Sequence, residues 1–168
     1  DLAPAARAAG LLPLTEPFTA LGFAQVAGGG GESTTAPVLA ATGNNAIVDW
    51  VRLELRASGN NATVVATRQG LVQRDGDVVA TDGTSPVTFN VGPGNYHVCV
   101  RHRNHLGAMT GAAIALSGTA TSVTFSDPST GLFGTNAMKT LGAVRGLWMG
   151  NAAGGTSLSY TGTNNDRD

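Results

Sequence analysis

The sequence predicts an all-β fold: an antiparallel Greek-key β-sandwich over residues 18–168, preceded by an extended apolar N-terminal arm at residues 1–17. Three observations predict it. The 168 residues include 24 glycines, which fall with Asn and Asp into turn-like clusters between apolar runs. Residues 46–56 alternate with a period of two over their last six positions. No 12-residue window carries a persuasive helical period.

The arm comes first. Pro4, Pro13 and Pro17 exclude a stable helix or a central strand, yet Leu2, Leu11, Leu12 and Leu14 want burial. An apolar extended segment needs a groove, on its own domain or on a neighbour. Phe18–Val26 reads as a first strand, and Gly28–Gly31 as a flexible connection. The latter lacks the Lys-Ser/Thr that a phosphate loop requires. Ala36–Ala41 reads as a short strand, and Asn44-Asn45 as a turn.

Ala46–Arg56 is the clearest strand. Ile47, Asp49, Val51, Leu53 and Leu55 share one parity, expected inward. Val48, Trp50, Arg52, Glu54 and Arg56 share the other, expected outward. After the Ser58–Asn61 turn, Thr63–Gln73 makes a second strand region, interrupted at Gly70. Arg74–Asp77 and Thr81–Thr84 are tight turns, Pro86–Val91 is a short strand, and Gly92–Asn95 is a strong turn. Tyr96–Arg101 alternates as another strand. Ala112–Gly118 and Thr121–Phe125 resemble a closing hairpin. Residues 137–149 read as one short helix or turn, since Met138, Leu141 and Val144 recur at helical spacing while Gly142 and Gly146 weaken a helix.

Composition excludes several functions. Only 12% of residues are charged, about half the usual share. Nine Arg and one Lys, Lys139, leave a formal charge of −1, with no basic excess for a nucleic acid. No apolar run approaches the ~20 residues of a membrane span. Cys99 is the only cysteine, so no intrachain disulfide forms. The chain opens at Asp1 and reads as a mature chain whose leader has been removed. Its Thr, Ala, Asn and Gly wealth suggests a secreted bacterial protein. Asn61-Ala62-Thr63 matches a glycosylation sequon of the kind that arises by chance.

Two clusters carry candidate chemistry. All three histidines lie in the stretch His97–His105, with Arg101 and Arg103. On an extended strand His97, Arg101, Arg103 and His105 share a face. That arrangement suits an anion or carboxylate contact, and the cationic arginines disfavour a metal. The plainer reading is a polar strand end that fixes the next loop by hydrogen bonds. Arg74, Asp75, Asp77 and Asp82 lie beside Gly76 and Gly83, where turn chemistry accounts for them and Ca²⁺ ligation by the aspartates is the sharper alternative. No Gly-x-Ser-x-Gly elbow, zinc-protease motif or spaced carboxylate pair is present, so no catalytic residue is assigned and the chain does not read as an enzyme.

The segments Ala46–Arg56, Leu71–Val79 and Pro93–Val98, leading into Arg101–Gly107, occur in order. Together they resemble a module near the C-terminus of large secreted, adhesin- or hemagglutinin-like proteins of the Bacteroidota. The likeness spans about residues 12–168. The Gly94-Asn95-Tyr96-His97-Val98-Cys99-Val100 run is also similar to the late strands of transthyretin-like sandwiches, a fold related in outline to immunoglobulin domains. The first resemblance implies an Asp-rich, calcium-loop-like element near the C-terminus. Here Gly150–Gly155 lacks the carboxylates, so no cofactor is expected, with Ca²⁺ as the alternative.

A stand-alone surface module has work only if it binds or polymerises. The expected function is a structural subunit of an extracellular filament or surface assembly. Copies of the chain would be partners, joined by strand addition or groove docking of the arm through Leu2, Leu11, Leu12, Leu14 and Phe18. The alternative is a monomeric secreted adhesion module for glycan or protein, drawing on Trp50, Tyr96, His97, Arg101 and Arg103. Its 5% aromatic content is thin for sugar stacking.

Overall fold

A computed structural model of the chain describes residues 9–150. Its centre is the hairpin of β1 (Ile47–Ala57) and β2 (Asn60–Gln73), closed by the two-residue turn Ser58-Gly59. β-Branched and aliphatic residues favour these long strands. β3 (Val78–Val79) pairs with the outer edge of β2. The other edge of β1 takes β4 (Gly94–Arg101). β4 in turn pairs with the short β5 (Ala108–Met109) and β6 (Ile114–Leu116). The order is β3-β2-β1-β4-β5, with β6 also on β4, and every pairing is antiparallel. β7 (Lys139–Leu141) and β8 (Val144–Gly146) form a separate two-stranded ribbon. Helix among the described residues amounts to one turn at Ala36–Leu39 and a 3-10 turn at Gly43–Asn45. The fold is therefore all-β.

Both faces of the central sheet are covered. On one face Trp50, Leu71, Val79 and Ile47 pack against Leu12, Phe18 and Phe23 of the N-terminal segment. On the other, Val51 and Val100 pack against Met138, Phe125 and Leu132, while Leu55, Ala66 and Val98 meet Phe89, Val91, Leu116 and Val123. Ile47 joins Trp50 despite opposite parity because the pairing shifts between Ile47 and Asp49, a bulge that re-aims the side chain.

The cover explains where the structure departs from the sequence reading. Trp50, Arg52 and Glu54 are not outward: they are 0%, 3% and 2% exposed beneath the N-terminal segment. Phe18–Val26 is a turn and irregular chain rather than a strand. Phe18 and Phe23 enter the same pocket edge to face, 5.4 Å apart, and the Phe23 amide donates to the Phe18 carbonyl at 3.0 Å. A strand would have pointed these two side chains to opposite faces. Within Ala36–Ala41, the expected strand is instead the helical turn Ala36–Leu39, with Pro37 in the position where its missing N–H costs nothing.

The four-glycine loop is docked. The Gly30 amide donates to Glu32 at 2.8 Å and the Gly31 amide to Glu16 at 3.0 Å. A Cβ on Gly29 would stand 2.3 Å from Thr67 Oγ1. Strand β2 runs unbroken through Gly70, where a Cβ would stand 2.9 Å from the Val79 carbonyl oxygen and 3.1 Å from the Val78 and Val87 side chains. Pro86–Val91 and Thr121–Phe125 form no ladder, yet Phe89, Val91, Val123 and Phe125 all pack onto the sheet. Residues 137–149 contain the β7–β8 hairpin, turned at Gly142 with φ +67°, instead of a helix.

Candidate functional site

Leu12 and Phe18 are buried in the chain's own core, and the Trp50 indole Nε1–H donates to the Pro13 carbonyl at 2.8 Å. Residues 14–16 lie antiparallel to 32–34 through Glu16 N–H to Glu32 O at 2.9 Å and Thr34 N–H to Leu14 O at 2.8 Å. The segment is thus held on its own domain by side-chain burial and by main-chain pairing. Its flanking leucines point away: Leu11 is 70% and Leu14 47% exposed. Leu2 lies outside the described residues.

The sheet sorts the His97–His105 stretch into two groups. His97 and Arg101, of like parity on β4, stand opposite Arg56 and Arg52 of β1. His97 is buried, and its Nδ1 lies 3.0 Å from the Thr110 carbonyl, which only accepts, so Nδ1 carries the hydrogen. Arg103 and His105 lie past the end of β4, in the turn that follows. Arg103 and His102 gather instead around Asp49, with His105 against the His102 ring. Arg103 Nη2 reaches Asp49 Oδ2 at 2.9 Å, and His102 Nε2 reaches the same oxygen at 3.0 Å.

His102 Nδ1 then accepts from the His105 Nδ1–H at 2.9 Å and from the Asn104 amide at 3.2 Å. Burial opposes ionisation of Asp49, but the His102 hydrogen bond, the Trp50 amide and the Arg103 charge outweigh it and hold the carboxyl below its usual range. Partial burial and the adjoining His102 push His105 below the ordinary imidazole value, against the pull of Asp49. This network ties the turn to the end of the described chain: Leu106 N–H donates to Trp148 O at 2.8 Å, and His105 bridges Met149.

On the opposite face of β1, the one beneath the N-terminal segment, lies a second charge cluster. Glu54, almost fully buried, accepts from Arg52 Nε at 3.0 Å on Oε1 and from Arg56 Nε and Nη2 at 2.9 and 2.6 Å on Oε2. Arg101 Nη1 stands 3.5 Å from Oε1. Burial alone would raise the Glu54 carboxyl. The bonds from Arg52 and Arg56, with the charges of Arg56 and Arg101, keep it low. Phe23 lies beneath both Arg52 and Arg101, at 5.7 and 5.4 Å from its ring centre. A cleft of about 390 Å³ opens here between the arginines and the N-terminal cover.

Arg52, Glu54 and Arg56 were missed as site residues because their alternation reads equally well as a solvated face. The signal available was Arg-x-Glu-x-Arg on the parity of Trp50, a residue that seeks burial. Among the described residues no group of three or more His, Cys, Asp or Glu is placed to hold a metal ion. The turn at Asp82 is occupied by its own neighbours, Thr84 N–H and Ser85 N–H donating at 2.9 Å. The calcium-like stretch beyond Gly150 lies outside the described residues. No helix among the described residues is long and apolar enough to cross a membrane. No protein-family model, curated protein or solved structure matches the chain.

Proposed function

We propose that the chain is a non-catalytic structural subunit of a secreted bacterial filament or surface assembly, with copies of itself as partners. The observation that carries this reading is the two-sided N-terminal segment. Leu12 and Phe18 anchor it in the chain's own core, while Leu11 and Leu14 stand exposed on its outer side. An apolar pair on a segment already fixed by its own domain presents a preorganised surface, which lowers the ordering cost of docking onto a neighbour. Low charge density leaves little repulsion to overcome. The contact is heterologous, and one whose rotation does not close a ring extends into a filament.

The spatial order β4-β1-β2-β3, with β4 returning after a long connection, supports a Greek key in a transthyretin- or immunoglobulin-like sandwich. The likeness to C-terminal modules of Bacteroidota adhesins supports an extracellular location.

Electron microscopy and light scattering of wild type and of a Leu11→Ser/Leu14→Ser variant test the reading. Wild type is expected to form filaments or higher oligomers, and the variant, folded by circular dichroism, to stay monomeric. A monomeric wild type, or a variant that assembles normally, overturns the proposal. The second reading, a monomeric adhesion module for glycan or protein, is favoured by the arginine-floored cleft. A monodisperse wild type that retains a glycan would support it.

A further inference from the structure

We infer that the cleft between Arg101, Arg56, Val26 and Val64 is a binding site for a small organic carboxylate with an apolar body. The first ground is charge. Three guanidinium groups converge on the single carboxylate of Glu54, leaving a local excess of two positive charges in a chain whose formal net charge is −1. Cys99, opposite Glu54 on β4, adds no anion, because burial and Glu54 push its thiol up to about 11.

The second ground is hydrogen-bond capacity. Each nitrogen of Arg52 has a partner, with Nε on Glu54, Nη1 on Gln25 Oε1 at 2.8 Å and Nη2 on the Ala24 carbonyl. Arg56 spends Nε and Nη2 on Glu54 and Nη1 on the Asn61 carbonyl at 3.0 Å. Arg101 differs. Its closest anionic contact is 3.5 Å, beyond ordinary hydrogen-bond length, and its other contact is the Phe23 ring. With a third of its side chain exposed, Arg101 stands at the mouth with donors to spare, and a planar guanidinium takes a carboxylate through two parallel bonds.

The third ground is the wall. Val26 and Val64 face the same space with Gly22 and Ala24. A bare inorganic oxyanion satisfies the arginines but leaves these apolar groups wet. A carboxylate carrying a hydrocarbon body satisfies both. The assignment does not depend on whether copies of the chain associate.

Methyl NMR of the full chain, titrated with cyclohexanecarboxylate, tests it. The Val26 and Val64 methyl signals are expected to shift saturably, and cyclohexanecarboxamide and sulfate are expected to give no saturable shift. Arg101→Met is expected to weaken carboxylate binding about tenfold or more. No saturable shift, an equal response to sulfate, or unchanged affinity in Arg101→Met overturns the site. Should Arg101→Met fail to fold, Val64→Glu sets a competing carboxylate in the wall and is expected to abolish the Val26 shift. Retained binding in that variant overturns the site equally.

Discussion

The Trp50 indole lies under the N-terminal segment and donates to the Pro13 carbonyl, joining residues 37 apart in sequence across the face of the sheet. Trp50→Phe keeps most of the packing and leaves the Pro13 carbonyl without this donor. It is expected to cost about 0.5–1.5 kcal/mol in urea unfolding. Trp50→Ala is expected to cost about 3–5 kcal/mol. Limited proteolysis of Trp50→Ala should cut first between residues 9 and 39. Cleavage elsewhere would show that the indole does not hold this cover.

Glu54→Gln leaves three guanidinium groups around a neutral amide. The expected loss is about 3–5 kcal/mol, read by chemical denaturation. The carboxyl of Glu54 is held low in the folded chain. Its stabilising contribution is therefore complete above its ordinary value of 4.5 and disappears as pH falls through the lower folded value. Wild type should lose more stability than Glu54→Gln over that acid window. Parallel pH profiles for the two proteins would count against the charge cluster as a stabilising element.

His105 titrates in a higher window. Its folded value lies below the ordinary 6.5, so the unfolded chain binds the proton more readily. The stability tied to neutral His105 is complete above 6.5 and falls as pH drops through the folded value. Amide exchange at Leu106, corrected for intrinsic chemistry, is expected to speed up from pH 7.5 to pH 5 in wild type. In His105→Phe it should not. Equal acceleration in both proteins would dismiss the imidazole pair as the cause.

Gly29→Ala drives a Cβ into Thr67 Oγ1 and the Thr67 carbonyl, at 2.3 and 2.4 Å. Since the carbonyl is backbone, relief requires the loop to lift off β2. The expected cost is about 1–3 kcal/mol. Gly59→Ala meets nothing within 4 Å and is expected to stay within about 0.5 kcal/mol. Matching thermal unfolding of the two variants would mean the glycine loop does not bear on β2.

The strands β1, β2 and β4 were legible because alternation and turn residues are local signals. Which face each alternation buried was not. Arg52, Glu54 and Arg56 alternate with Val51, Leu53 and Leu55, and period two distinguishes the faces without saying what covers either. The cover is residues 12–39, which have no period: Phe18 and Phe23, five residues apart, reach one pocket only because a turn brings them there. The same limit applies to Arg103 and His105. Extended parity aligned them with His97, but β4 ends at Arg101 and the turn swings them toward Asp49. Long-range partners such as Val26 and Thr67, 41 residues apart, leave no mark in a window scan.

The cover also precedes, in chain order, the sheet it covers. Leu12, Phe18 and Phe23 emerge during synthesis before any residue of β1, so they have nothing native to bury against until the β1–β2 hairpin exists. Closure onto Trp50 and Thr67 spans about forty residues, whereas the hairpin zips from a two-residue turn, so hairpin first and cover second is the cheaper route. Until then the apolar residues of 12–23 are the part of the nascent chain most exposed to capture by a chaperone or by the sheet of another copy.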